Sequence, residues 1–317
     1  MAAVPISKSP IVDQSLSRKR FGELSLGVCT DLHHDIYYDA PQRLKRFIQE
    51  MNVLKPNFIV QLGDFCHPKE ENNEIRQIWN EFDGKAFHTI GNHDHEEPGT
   101  TREDVVEFWG MPGKYYAIDI EGYHLIVLDG NDINPAHDTP SRYERYISVA
   151  QMEWLSQDLA QTTLPCIVCC HQGLDRDSGL ENGGAVRAIL DRANEASDFQ
   201  KVQLVLTGHH HQDYYNQING IHYLQINSMS YYWQGEKYAE SPFNEALNLR
   251  YKYLKYMNHY QDPLWAYLEI SRDGILHVIG QKSSFIGKSP TEMGMPAHFK
   301  TYPVVPHISD RKIKLTL

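Results

Sequence analysis

Short apolar runs of period two alternate along the chain with longer stretches whose apolar positions recur every three or four residues. "ELSLGVCT" puts Leu24, Leu26 and Val28 on one side of a strand. "PQRLKRFIQEM" follows, with a proline suited to a first helical turn and with Leu44, Phe47, Ile48 and Met51 on one helical face. "NFIVQLGD" predicts the next strand, and Ile75, Ile78, Trp79 and Phe82 the next helix. "KAFHTIGN", "YHLIVLDG", "PCIVCCH" and "VQLVLTGH" predict further strands, with helices near 101–109, 150–161 and 184–196. Late strands are expected at "IHYLQIN", "LWAYLEIS" and "GILHVIGQ", the last two joined at Asp273-Gly274. Strands alternating with helices, then a strand-rich end, predict an α/β layered sandwich with a mixed sheet.

One region breaks the rhythm. Residues 230–264 are rich in tyrosine and carry Trp233. They read as an insertion that serves as a lid, packs on the body, or forms a surface for a homo-oligomer. The expected organisation is a polar leader at 1–20, one domain over 21–285 that contains this insertion, and a C-terminal tail at 286–317.

Composition narrows the function. The 317 residues carry a net charge of −11. That disfavours a nucleic-acid polymer or an anionic membrane as partner. A small phosphorylated substrate remains compatible, because a bound metal inverts the local field. No apolar run approaches the roughly 20 residues needed to span a bilayer, and residues 1–20 lack the apolar core of a signal peptide. Five cysteines, an odd number lying mostly in apolar runs, argue against a disulfide framework and for a reducing, cytoplasmic compartment. A trimmed signal would leave the periplasm or secretion open. Cys166 and Cys169 have zinc-like spacing, but no second such pair accompanies them.

The candidate chemistry lies at the strand ends. Asp31 and His33 follow the first strand, Asp64 the second, and Asn92, His93 and Asp94 the third. His171 follows "PCIVCC", and His209, His210 and His211 follow "VQLVLTG". In open α/β sheets the crevice beyond the carboxyl ends of strands is where ligands bind. A Gly-His-x-His alone would arise roughly 0.06 times by chance in such a chain; the ordered set of five clusters is far more specific. If the chain leaves each strand extended, His209 and His211 share a direction and His210 points away, and Asp31 and His33 likewise share a face. Gly63, Gly91 and Gly208 are expected to let the backbone turn tightly before each cluster.

"DLH", "GD", "GNHD", "H" and "GHHH" resemble the five motifs of the calcineurin-like metallophosphoesterase superfamily, over residues 24 to 281. The resemblance implies a four-layer α-β-β-α sandwich with two mixed sheets. It implies two divalent transition-metal ions, manganese, iron, zinc or cobalt. Asp31, His33, Asp64 and His211 would hold one; Asp64, Asn92, His171 and His209 would hold the other, with Asp64 bridging. It makes His93 the catalytic residue that steadies the phosphoryl group and protonates the leaving oxygen, and Asp64 the bridge on which catalysis rests. Asp94 then either orients His93 or is an ordinary solvated acid. Many relatives carry Asp three residues after the bridging Asp, whereas this chain has His67, which would then be an extra phosphate contact. The first-motif His33 and the lack of a tyrosine at 67 set the chain apart from purple acid phosphatases, and the Arg-rich motif of Ser/Thr protein phosphatases is absent.

Such a centre fits phosphate esters. Two M²⁺ ions against two carboxylates leave about +2 of charge for a phosphoryl group and a hydroxide. The expected function is hydrolysis of small-molecule phosphoesters, chiefly phosphodiesters such as cyclic nucleotides, by attack of a metal-bridging hydroxide. The alternatives are a phosphomonoesterase or nucleotide-sugar diphosphatase on the same site, or a metal-bound scaffold without catalysis. Asn131, Arg142, Tyr146, Asn182, Tyr231, Tyr232 and Trp233 are candidate substrate contacts, the last three for stacking a base.

Overall fold

The period-two runs become the strands of two six-stranded mixed sheets in a computed structural model, which describes residues 23–137, 143–296 and 302–316. In chain order the first half is β1 (Leu24–Cys29), α1 (Ala40–Leu54), β2 (Phe58–Gln61), α2 (Asn73–Trp79), β3 (Lys85–His88), α3 (Arg102–Trp109), β4 (Tyr116–Ile120), β5 (Tyr123–Val127), α4 (Val149–Gln161) and β6 (Cys166–Cys170). There follow α5 (Gly183–Glu195), β7 (Val202–Thr207), β8 (Tyr214–Ile218), β9 (Ile221–Gln225), β10 (Tyr231–Trp233), α6 (Glu245–Arg250), β11 (Met257–His259), β12 (Ala266–Ile270), β13 (Ile275–Gly280) and β14 (Arg311–Lys314).

One sheet runs β14-β13-β12-β1-β2-β3 and the other β4-β5-β6-β7-β9-β8. β1, β2 and β3 are parallel, as are β5, β6, β7 and β9; the remaining pairings in the two sheets are antiparallel. Alternation along β6 sorts the layers. Ile167 and Cys169 belong to the core between the sheets, while Cys166, Val168 and Cys170 meet Leu155, Leu159, Val186 and Leu190 of α4 and α5. Cys166 and Cys169 therefore point to opposite faces of one strand, and all five cysteines are buried and free. On β1, Gly27 lets α1 approach, since a Cβ there would fall 2.2 Å from Met51 Sδ. The result is a four-layer sandwich with α1, α2 and α3 on one side and α4 and α5 on the other.

The helices and strands expected from periodicity are present. β4, β8 and β14 were not anticipated. They are sheet edges: β4 shows Ala117, Ile118 and Asp119 at least partly to solvent, and β8 carries Asn216 and Gln217. The segment read as a C-terminal tail, 286–317, supplies β14, which pairs with β13 and buries Ile313, and Leu315 just after it is buried too.

The tyrosine-rich insertion is a two-stranded ribbon, β10 with β11, capped by α6. Tyr231, Leu254 and Met257 pack on Tyr37, in the loop after β1. Arg43 of α1 fastens both ends of the insertion. Its guanidinium is buried, donates to the carbonyls of Met229 (3.2 Å) and Tyr260 (2.6 Å), pairs with Asp39 at 2.7 Å and lies over the Tyr37 ring. Replacing Arg43 by Ala removes a donor from two buried carbonyls, of which Met229 keeps the Leu264 N–H at 3.2 Å, at a cost of about 1–3 kcal/mol. A lower melting temperature and faster amide exchange across 230–260 are the expected outcome; native exchange there would show that the arginine does not hold the insertion.

Candidate metal centre

The carboxyl ends of β1, β2, β6 and β7, and the loop after β3, open on one spot. Asp31, His33 and His211 bring one ligand atom each to within 4.8 Å of one another, and Asp64, His171 and His209 do the same beside them. Asp64 Oδ2 joins the two groups, lying 3.0 Å from His171 Nε2 and 3.7 Å from His33 Nε2. Asp31 Oδ1 lies 3.0 Å from His211 Nε2 and 3.7 Å from His33 Nε2. All are buried or nearly so.

Each carboxylate has one oxygen tied down and one left facing inward. Asp31 Oδ2 accepts from the Thr30 hydroxyl at 2.7 Å and the His209 N–H at 3.0 Å. Asp64 Oδ1 accepts the His93 N–H at 2.8 Å. The imidazoles are oriented in the same manner. His171 Nδ1 donates to the Leu62 carbonyl and His211 Nδ1 to the Tyr231 carbonyl, both at 2.7 Å, so Nε2 of each turns inward as a lone pair. His209 presents Nδ1 inward, with Nε2 3.4 Å from the Tyr143 hydroxyl.

These donors fit metal ions. The inward nitrogens of His33 and His211 approach to 3.1 Å, and those of His171 and His209 to 3.3 Å. Paired lone pairs at such range call for a cation between them. The Asn92 amide is buried, and neither its oxygen nor its nitrogen makes a hydrogen bond. Mixed oxygen and nitrogen donors suit manganese, iron, zinc or cobalt. The field is strongly negative: burial disfavours the charged form of His171, yet Asp64 and Asp31 outweigh it and raise the ring to about 9. Burial also opposes ionisation of Asp64, but His171, His93 and His33 hold its carboxyl far below the usual carboxylate range.

The backbone at the ligands is strained. Asp31, His33, Asp64, His209 and His211 all have φ between 50° and 74°. Non-glycine residues seldom occupy this region, and clusters of them mark functional sites. The sequence-based picture of extended strand exits is thus corrected: the ligands themselves make the turns. His209 and His211 do both reach the centre, each in a different group, while the His210 ring packs toward Tyr214. Of the three glycines, Gly63 alone uses positive φ, at 99°. Gly91 and Gly208 are needed for space, since a Cβ would fall 2.1 Å from Asp64 Oδ1 and 2.1 Å from Thr30 Oγ1 respectively.

His93 stands at the rim. Its Nδ1 meets Glu96 Oε2 at 2.7 Å, and its ring lies 5.2 Å from that of His33. Burial works against its protonation, but Asp64 and Glu96 outweigh it and lift it to about 9. Glu96 escaped the sequence reading, though its i+3 spacing from His93 was a usable signal. Asp94 neither orients His93 nor meets solvent. It is fully buried and accepts the N–H groups of Asp64, Phe65, Cys66 and Gly91, clamping the β2 and β3 loops together. His67 lies among acids, with Nδ1 3.1 Å from Glu97 and 3.4 Å from Asp35 and Nε2 4.0 Å from Glu96.

A cavity of about 690 Å³ opens over the centre, walled by Ile36, Tyr143, Tyr231, Tyr232, Trp233 and Tyr253. Of the expected substrate contacts, Tyr231, Tyr232 and Trp233 line it. Asn131 instead bonds the Ile90 carbonyl and Gln172, Tyr146 bridges to Asn131, and Asn182 bonds the backbone of Ile147. Arg142 lies outside the described residues. Tyr143 and Tyr253 were not foreseen, because tertiary packing alone brings their loops here.

The sequence profile of the calcineurin-like phosphoesterase family matches residues 24–213, which include all seven candidate ligands. A 3′,5′-cyclic-nucleotide phosphodiesterase of Nostoc sp. is 23% identical over 271 residues, covering 83% of this chain and 91% of that protein. A probable cyclic nucleotide phosphodiesterase of Synechococcus sp. is 24% identical over 207 residues, covering 60% and 74%. Among solved structures, a dimetal phosphatase from Danio rerio superposes with a TM-score of 0.58 at 12% identity, over 84% of this chain and 99% of that one. At that identity the likeness concerns the fold.

The Asp94 clamp yields a stability test. Asp94→Ala leaves four backbone N–H groups without their acceptor, each costing about 1–3 kcal/mol when buried. Chemical denaturation is expected to show a loss of roughly 4 kcal/mol or more; a change near zero would mean the loops hold without it.

Proposed function

The chain belongs to the calcineurin-like phosphoesterase family, and we propose that it hydrolyses small phosphodiesters, with cyclic nucleotides as the substrate class. It is a dinuclear metal-dependent phosphoesterase. The observation that carries the finer reading is the pairing of two ligand groups through Asp64 beneath a wide, aromatic-walled cavity. The names of the cyanobacterial relatives point the same way.

Asp31, His33, Asp64 and His211 would hold one ion, and Asp64, Asn92, His171 and His209 the other. Bound there, the ions would supply charge neutralisation for the phosphoryl oxygens and a water of lowered pKa. The protein's own contribution is orientation. Thr30 and the His209 N–H fix the Asp31 carboxylate, the Leu62 and Tyr231 carbonyls fix His171 and His211, and the His93 N–H fixes Asp64. His93 holds a proton at Nε2 for the departing alkoxide, because Nδ1 is committed to Glu96. Glu96 accepts from Nδ1–H and so fixes the ring with Nε2 free to act. In this chain Glu96 thus takes the place of the aspartate that His67 displaces.

Stripped of metal and reloaded with manganese, the protein is expected to cleave bis-p-nitrophenyl phosphate in preference to p-nitrophenyl phosphate. A strong preference for the monoester would contradict the diesterase reading. His93→Ala should slow turnover by roughly 10²–10⁴ and leave two metals bound; loss of metal would make His93 a ligand. Glu96→Ala should lower kcat by about tenfold with little change in KM, and Glu96→Gln, which still accepts from Nδ1–H, should restore most of it. Equal loss in both variants would remove Glu96 from the positioning of His93.

A further inference from the structure

The cavity wall on and beside β10, where the sequence offered Tyr231, Tyr232 and Trp233 for stacking a base, is aromatic. β10 leads away from the centre. Tyr231 stands at its inner end, with its ring 4.9 Å from that of His211 and 5.3 Å from that of His33. Trp233, two residues further, faces the same side of the ribbon, about 6.6 Å along. A single sugar ring spans that offset.

Trp233 is 44% exposed and Tyr253 is 37% exposed, while Tyr231 and Tyr232 are buried. The two exposed rings flank one mouth of the cavity, with centroids 6.3 Å apart and planes at 52°. They are held from behind. Trp233 is paired with Met257 in the β10–β11 ladder and packs on Tyr256 at 5.8 Å, and Leu254, next to Tyr253, is fully buried. Large, pre-positioned aromatic faces left open to water beside a polar centre favour a flat, uncharged group. One face of Tyr253 is taken, since Lys252 Nζ lies 4.9 Å from its ring centroid, so Trp233 is the principal open face. Among the described residues lining the cavity Arg145 is the cation, and its guanidinium donates to the carbonyl of Gly179 at 2.6 Å.

We propose that Trp233 and Tyr253 form a stacking subsite for the nucleobase of a substrate whose phosphate lies at the Asp31–Asp64 centre. The inference rests on the reading of that centre as a phosphoester site and adds what the rest of the molecule recognises. The insertion at 230–264 is then a specificity element. Its inner end orients a ligand through the Tyr231 carbonyl, and its outer end reads the organic part of the substrate.

The test is binding to the manganese-loaded protein, with two probes that differ only in the base: adenosine 5′-monophosphate and ribose 5-phosphate. Wild type is expected to bind the nucleotide about tenfold or more tightly than the sugar phosphate. In Trp233→Ala that ratio should fall close to one, Tyr253→Ala should lower it in part, and Trp233→Phe should keep most of it. A wild-type ratio near one, or a ratio untouched in Trp233→Ala, overturns the subsite. Hydrolysis of bis-p-nitrophenyl phosphate, run in parallel, separates the two claims. A base preference without diester cleavage ends the phosphodiesterase reading and keeps the subsite; cleavage without base preference does the reverse.

Discussion

Two carboxylates cannot stay ionised away from water without compensating positive charge. Asp31 and Asp64 are both buried, and among the described residues their ion-pair partners are all histidines. Two of those histidines, His171 and His211, have their outer nitrogens committed to carbonyls. Among the described residues no Lys or Arg pairs with these carboxylates, so without a metal only proton uptake by imidazoles such as His171 offsets them. That deficit of fixed positive charge is what two divalent ions satisfy. The orphaned amide of Asn92 and the short contacts between imidazole nitrogens follow from the same deficit.

Holding such a cage costs conformational energy, of order 1–3 kcal/mol for each residue in a sparsely populated backbone region. Five of the candidate ligands are left-handed, and the surrounding loops over-determine them. Ser228 and Ser230 donate to the carbonyls of Asp31 and Leu32, and the N–H groups of Asp31 and His33 donate to the carbonyls of Gly63 and Asp64. Asp94 gathers four further N–H groups from the β2 and β3 loops. The insertion joins this scaffold, since Arg43 ties Met229 and Tyr260 and thereby steadies the Tyr231 carbonyl on which His211 rests. The candidate ligands and the aromatic cavity wall are thus parts of one mechanical unit.

Much of this was legible in the chain. Parallel inner strands are buried on both faces and read as plain apolar runs, so their polar ends stand out, and the metal-ligand candidates were visible there. The edges were harder: β4 and β8 mix exposed with buried positions, and β14 lies in a stretch that looked like a tail. Local conformation also escaped. Gly63 signalled a turn, but nothing in the residue types says that Asp and His will adopt positive φ; tertiary hydrogen bonds impose it. Glu96 could have been found from its spacing to His93, whereas Tyr143 and Tyr253 belong to loops whose placement follows from packing alone. Asp94 was misjudged because a lone aspartate after a histidine says nothing about the four backbone donors that close around it.

The most direct test of the account is anomalous X-ray diffraction from crystals of the manganese-loaded protein. Two peaks about 3.5–4 Å apart, with Asp64 coordinating both, are expected. A single peak, or ions bound away from Asp64, would contradict the claim that this carboxylate joins two metal sites.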